Sequence, residues 1–205
     1  MADNLNPYKT VLENSSIESK VRGSRFIGTI LNVDSKIKAN LELDLIRKKY
    51  WDSTHNCYAY RIAPHGLESK MSDDGEPSGS AGKPILYILQ KAEIVNTLIV
   101  VTRYFGGLKL GVGGLVRAYS ECAKLVIENS KITEVYPTEI YKIFVQYEDM
   151  KYIRPIIDNY AISFDEEFHD VINYTVKVKK IVGLEFTDKI IESSQGRAGW
   201  TKLEN

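Results

Sequence analysis

Between Ser72 and Gly82 the chain reads SDDGEPSGSAG, which sets three carboxylates, Asp73, Asp74 and Glu76, beside two hydroxyls, Ser78 and Ser80, among small turn-forming residues. Carboxylates grouped this way could bind a hard divalent cation through oxygen. Alternatively, one of them could work as a general acid or base with a histidine such as His55 or His65. The same residues also suit a plain turn, in which Asx side chains bond their own backbone. The ligand order of an EF-hand loop is absent, and neither a metal nor a cofactor is expected. Ser80 and Lys83 form an S-x-x-K pair, but the accompanying Ser-Asp-Asn and Lys-Thr-Gly segments are missing. A G-x-S-x-G elbow is also missing, because Ser78 stands where its first glycine belongs. Acyl transfer is therefore not supported.

A second stretch, NTLIVVTRYFGGLKLGVGGLVRAY from Asn96 to Tyr119, offers binding chemistry. Leu98, Ile99, Val100 and Val101 form a β-branched apolar run that suits a central strand covered on both faces. Gly106 and Gly107 then permit a turn, and Gly111, Gly113 and Gly114 keep bulk away from the start of the next helix. Such a junction presents backbone N–H groups and a dipole that favours anions, with Arg103 and Lys109 on its flanks. A phosphate or carboxylate fits there. Close packing of the helix on its strand would also require glycine. The spacing matches neither a P-loop nor the dinucleotide fingerprint. The anion or nucleic-acid set is Arg103, Gly106, Gly107, Lys109, Gly113 and Gly114, with Arg61. The polar-loop set is His55, Asp73, Asp74, Glu76, Ser78 and Ser80.

The surrounding elements must hold these residues. Tyr8 to Glu13 and Ser15 to Val21 read as short strands about the Glu13-Asn14-Ser15 turn, and Arg25 to Val33 as a longer one, an antiparallel start. Asp34 or Ser35 caps a helix whose Ile37, Leu41 and Leu45 recur at helical spacing and are expected to cover the sheet. His55 to Ile62 alternates as a strand, with His55, Cys57, Ala59 and Arg61 on one face. Residues 63–82 lack a period and read as a long loop. Pro84 suits the first turn of a short helix. After Gly114, a helix puts Leu115, Tyr119, Cys122 and Val126 on its core stripe.

Around Thr133 to Thr138 the pattern resets, which predicts two domains, 1–135 and 136–205. The second reads β-α-β-β-α-β, the split-βαβ plan, with Pro155 inside its first helix. The whole is expected to be an α+β fold.

Lys plus Arg and Asp plus Glu each number 27 in 205 residues, so no global basic field drives nucleic-acid binding and any such site must be local. The two cysteines, Cys57 and Cys122, are far apart and imply neither a disulfide framework nor a zinc site. No signal peptide and no membrane span are read, so a cytoplasmic protein is expected.

The segments HNCYAYRI, SDDGEPSGSAGKPIL and TRYFGG with its following glycine cluster together resemble the Impact family, and within it the bacterial YigZ-like proteins, over nearly the entire chain. The resemblance implies an N-terminal βαβ-type domain similar to the second domain of small-subunit ribosomal protein five, with helices on one side of its sheet. It also implies a ferredoxin-like C-terminal domain similar to those of elongation factor G. Eukaryotic relatives regulate translation initiation under starvation by binding its activator protein, whereas bacterial members have no settled activity. The expected function is a translation-associated regulatory binding protein that contacts RNA or a ribosome-linked partner through the glycine turn. A small hydrolase using the acidic loop, or a protein-interaction module without RNA contact, stands as the alternative. The polar loop alone motivates an enzyme, so binding is favoured over catalysis.

Overall fold

The computed structural model describes residues 6–62 and 67–203. His65, named above as a candidate base, lies outside them. The architecture is mixed α+β, and the chain divides into two compact units, Tyr8–Val135 and the residues from Tyr136 onward.

In the first unit, β2 (Ser15–Val21), β3 (Ser24–Asn32), β4 (His55–Ile62), β5 (Glu68–Ser72) and β6 (Thr97–Tyr104) make one antiparallel sheet in the order β2-β3-β6-β4-β5. Its centre is β6, whose Ile99 and Val101 join the core beneath α2 (Gly82–Lys91) and α3 (Gly111–Glu128). Leu98 and Val100 face the opposite core, beneath α1 (Lys36–Lys49). Helices therefore lie on both faces, not on one. The apolar run of β6 offers no polar face to water, so both sides must be covered.

Three further expectations change. The helix α1 is turned over: Ala39, Leu43 and Ile46 are buried against the sheet, while Ile37, Leu41 and Leu45 face outward. Both triplets are apolar at helical spacing, and small Ala39 lets the helix lie closer to the strands. The region read as one long loop contains β5, paired with β4 from Tyr58↔Ser72 to Ile62↔Glu68. Finally, β1 (Tyr8–Val11) does not pair with β2 but with β7 (Ile132–Val135), in a separate two-stranded sheet.

The second unit runs β8 (Thr138–Val145), α4 (Met150–Tyr160), β9 (Ala161–Phe168), β10 (Ile172–Lys179), α5 (Gly183–Ser193) and β11 (Gly199–Leu203). Its strands pair antiparallel in the order β11-β8-β10-β9 around a core that includes Ile143, Ile153, Ile157, Tyr174 and Phe186. Pro155 lies inside α4 on the exposed side, where losing one backbone hydrogen bond is least costly because water can take the freed carbonyl. Among the described residues, no helix is long and apolar enough to cross a membrane.

Candidate functional site

The site lies where β6 hands over to α3. His55 opens β4 directly opposite Arg103 near the end of β6, so strand register brings the two together. Beyond the strand, the backbone of Gly106 lies against the hairpin turn at Gly23: a Cβ on Gly106 would sit 1.9 Å from the Gly23 carbonyl carbon. The Gly106 N–H donates to Ser24 Oγ at 3.2 Å. Gly107 and Gly111 have φ of 87° and 69°, which only glycine adopts without strain. Gly113 differs from all three. Its φ is not positive, and a Cβ there would meet nothing within 4 Å. Packing therefore does not explain it.

Beneath the turn is a buried ion pair. Arg103 Nη1 donates to Glu76 Oε1 at 2.6 Å, and the two side chains are only 6% and 3% exposed. Tyr119 donates its hydroxyl to the same oxygen at 2.7 Å, and Arg103 Nη2 reaches Ser24 Oγ at 3.3 Å. The guanidinium also lies 5.5 Å from the Phe26 ring centre and 5.6 Å from that of Phe105. Its Nε is buried without a hydrogen-bond partner. Burial, then the neighbouring Cys57 and Glu76, push the Tyr119 hydroxyl far up, so it stays a proton donor.

The acidic loop is a built turn rather than a set of free acids. Asp73 accepts from the N–H groups of Gly79, Ala81 and Gly82 at 2.8, 3.0 and 2.8 Å, tying the loop to the start of α2. Asp74 and Gly75 take φ of 45° and 89°, and the Glu76 N–H closes the turn on the Asp73 carbonyl at 2.9 Å. Asp74 Oδ2 accepts from the Asn56 N–H at 2.6 Å, and its other oxygen lies 3.5 Å from Arg47. His55 Nδ1 lies 2.7 Å from the Asp74 carbonyl, an acceptor only, so Nδ1 donates to it, and Nε2 lies 3.9 Å from Glu76. Ser80 is buried and donates to the Pro77 carbonyl at 2.6 Å, whereas Ser78 is exposed. Each carboxylate is thus committed to structure. Among the described residues, no three His, Cys, Asp or Glu side chains are grouped to hold a metal ion.

Burial raises the Asp73 carboxyl, but its three backbone N–H bonds outweigh that and hold it below its ordinary value of 3.8. A folded-state value below the unfolded one stabilises the protein fully above about pH 4 and is lost as pH falls through the folded value. Asp73→Asn is expected to cost about 1–2 kcal/mol at pH 7 and to flatten the acid limb of the stability curve, read by urea titrations from pH 7 down to pH 3.

Above the pair opens a cleft of about 250 Å³ lined by Glu76, Arg103, Phe105, Lys109, Gly111 and Val112. Lys109 is exposed at its rim, and no side chain caps the first turn of α3. Gly113 and Gly114 instead line a larger neighbouring groove of about 830 Å³ with Arg22 and Arg117. Arg61 belongs to neither. It shares a face of β4 with His55 but sits six residues away, roughly 20 Å along the strand, and donates to the Leu89 carbonyl in the last turn of α2 at 3.3 Å and to the Ile94 carbonyl just beyond that helix at 3.1 Å. Cys57 and Cys122 are fully buried, and burial pushes their thiols up to about 12 and about 11. Ser24 and Tyr119 were not among the expected site residues. A tyrosine on a buried helix stripe must find a partner for its hydroxyl, and that was the available signal for Tyr119.

The stretch that holds this sheet, with β6 running into the FGG turn above the buried Glu76, is matched over residues 22–127 by the family model of the Impact N-terminal domain. The chain belongs to the Impact family. It is 46% identical over 117 residues to the IMPACT family member YvyE of Bacillus subtilis (strain 168), a match that takes in 57% of this chain and 54% of that protein. It is 28% identical over 186 residues to the IMPACT family member YigZ of Escherichia coli (strain K12), across 88% of this chain and 90% of that one. A solved crystal structure of a hypothetical protein superposes with TM-score 0.69 at 25% identity, covering 97% of this chain and 98% of its own.

Proposed function

We propose that the protein is a translation-associated regulatory binding protein whose β6–α3 cleft takes an anionic group of its partner, an RNA phosphate or an acidic group of a ribosome-linked factor. The observation that carries this reading is the cleft itself. Glu76 balances Arg103 beneath the cleft, which leaves the exposed Lys109 and the uncapped start of α3 as its net positive side. The translation context comes from the family resemblance, including the ribosomal-protein-five-like and ferredoxin-like folds it implies, and fold alone does not establish it. A hydrolase is the weaker reading because Asp73, Asp74 and Glu76 already hold structural partners.

The test is cosedimentation with ribosomes and with RNA across a salt series, with Lys109→Glu as the variant. Because Lys109 is exposed, the variant should fold like the parent. Binding is expected to fall at least about threefold at low salt, with the salt slope shallower by about one ion. Unchanged binding and slope would rule the cleft out as the contact. Capture of a protein factor that is undiminished by nuclease and by Lys109→Glu would favour the interaction-module reading instead.

A further inference from the structure

Just past the end of β6, Phe105 leaves its side chain 48% exposed on the wall of the β6–α3 cleft. The Arg103 guanidinium lies 5.6 Å from the ring centre, close enough to hold the ring in place. At about 250 Å³ the cleft is smaller than the roughly 300 Å³ at which pockets for drug-sized ligands begin, so it suits a single ring system. Arg103 lines the same cleft, is 6% exposed, and keeps its Nε donor without a partner. A flat ring with an acceptor on its edge answers both features.

The cations reach beyond this cleft. Leu110 is a wall of both the cleft and the larger groove beside it; Lys109 lines the first, and Arg22 and Arg117 line the second. None of these three cations forms an ion pair with a described residue. Over the two hollows together, four cations face two carboxylates, Glu121 and the Glu76 that Arg103 already balances. Arg22 stands first in the two-residue Arg22-Gly23 hairpin turn with φ of 47°, where Asn, Asp or Gly would be less strained. Strain of this kind persists at binding sites, where the side chain is needed. Gly113 also lines the larger groove, and its bare backbone lets a ligand chain lie close to α3. A single carboxylate cannot serve cations in two adjoining hollows, whereas a strand with one phosphate per base can. An acidic protein segment brings charge without an obligatory ring, and a duplex keeps its bases stacked inside.

We propose that the cleft and the adjoining groove together hold an unpaired RNA strand, with one base stacked on Phe105 and its flanking phosphates on Lys109, Arg22 and Arg117. This rests on the anion-binding reading of the cleft and narrows the partner to single-stranded RNA.

Fluorescence anisotropy of a labelled RNA of about ten nucleotides, alone and annealed to its complement, tests this with the full chain. The single strand is expected to bind at least about tenfold tighter than the duplex. Phe105→Leu keeps apolar bulk but removes the π face, so binding should weaken at least about fivefold with the salt slope unchanged. Phe105→Trp should restore it, and a base stacked on the new indole should quench fluorescence beyond any change seen in the parent. Arg22→Gln and Arg117→Gln should each weaken binding with a salt slope shallower by about 0.7. All three positions are exposed, so these variants should keep the fold, and circular dichroism checks it. A duplex bound as tightly as the strand, or strand binding indifferent to Phe105→Leu, would overturn the inference. The anion-binding reading would survive either result if Lys109→Glu still weakened ribosome binding. Absence of RNA binding would also overturn the inference, and the same variant would then show whether the cleft takes an acidic protein group. If neither RNA nor ribosomes respond to Lys109→Glu, both readings fall.

Discussion

Glu76→Ala is expected to cost the first unit about 3–5 kcal/mol of unfolding free energy, the largest loss from any single polar side chain of the site. The reason is Arg103. Its guanidinium is 6% exposed, accepts nothing, and has Glu76 as its ion-pair partner, so removing the carboxylate leaves a buried charge uncompensated. Tyr119 also loses its acceptor, adding the cost of an unsatisfied buried hydroxyl. Replacing the pair together, as Glu76→Leu with Arg103→Met, removes both charges and should recover most of the loss. Hydrogen exchange of β4 and β6 amides is the suitable measurement, because a chain of two compact units need not unfold in one step. A loss below about 1 kcal/mol for Glu76→Ala would mean that water reaches the pair. The same reasoning makes Arg103→Ala a poor probe of binding, since it would perturb the fold that forms the cleft.

Gly106→Ala is the second large effect, and Gly113→Ala is its counterpart with the opposite sign. At Gly106 a new methyl would lie 1.9 Å from the Gly23 carbonyl carbon and 2.3 Å from the Ser24 nitrogen, both backbone atoms. Neither can swing aside, so the turn must leave the hairpin, with a loss of about 4 kcal/mol or more or failure to accumulate folded protein. At Gly113 the methyl meets open space inside the first turn of α3, and the gain is about 0.5–1 kcal/mol of helix stability. Thermal melts of the two variants read the contrast directly. If Gly113→Ala melts higher yet binds ribosomes or RNA more weakly, that glycine serves ligand approach and not folding.

The parts of this molecule that could be read from the chain are those set by short-range pattern. The run Leu98 to Val101 announced a strand covered on both faces, and the alternation in His55 to Ile62 sorted Cys57 and Ala59 from Tyr58 and Tyr60 onto the faces they occupy. Where two answers satisfied one period, the reading failed. Helix α1 carries apolar residues at 37, 41 and 45 and again at 39, 43 and 46, and only packing against the sheet chooses between them. Strand β5, ESKMS, is a half-exposed sheet edge with too few apolar residues to alternate. The site has the same division. Its residue types were visible, but the meeting of Glu76 with Arg103, 27 positions on, depends on the register of β4 against β6. So does the separation of Arg61 from both.

The pairing of β1 with β7 joins residues 8–11 to residues 132–135. The first unit is thereby buttoned shut where its chain enters and where it leaves. A segment whose doorway and exit are side by side can be spliced between unrelated flanks without stretching either. Such a cassette is free to travel during evolution with different companions, while its interior geometry stays untouched by what is attached.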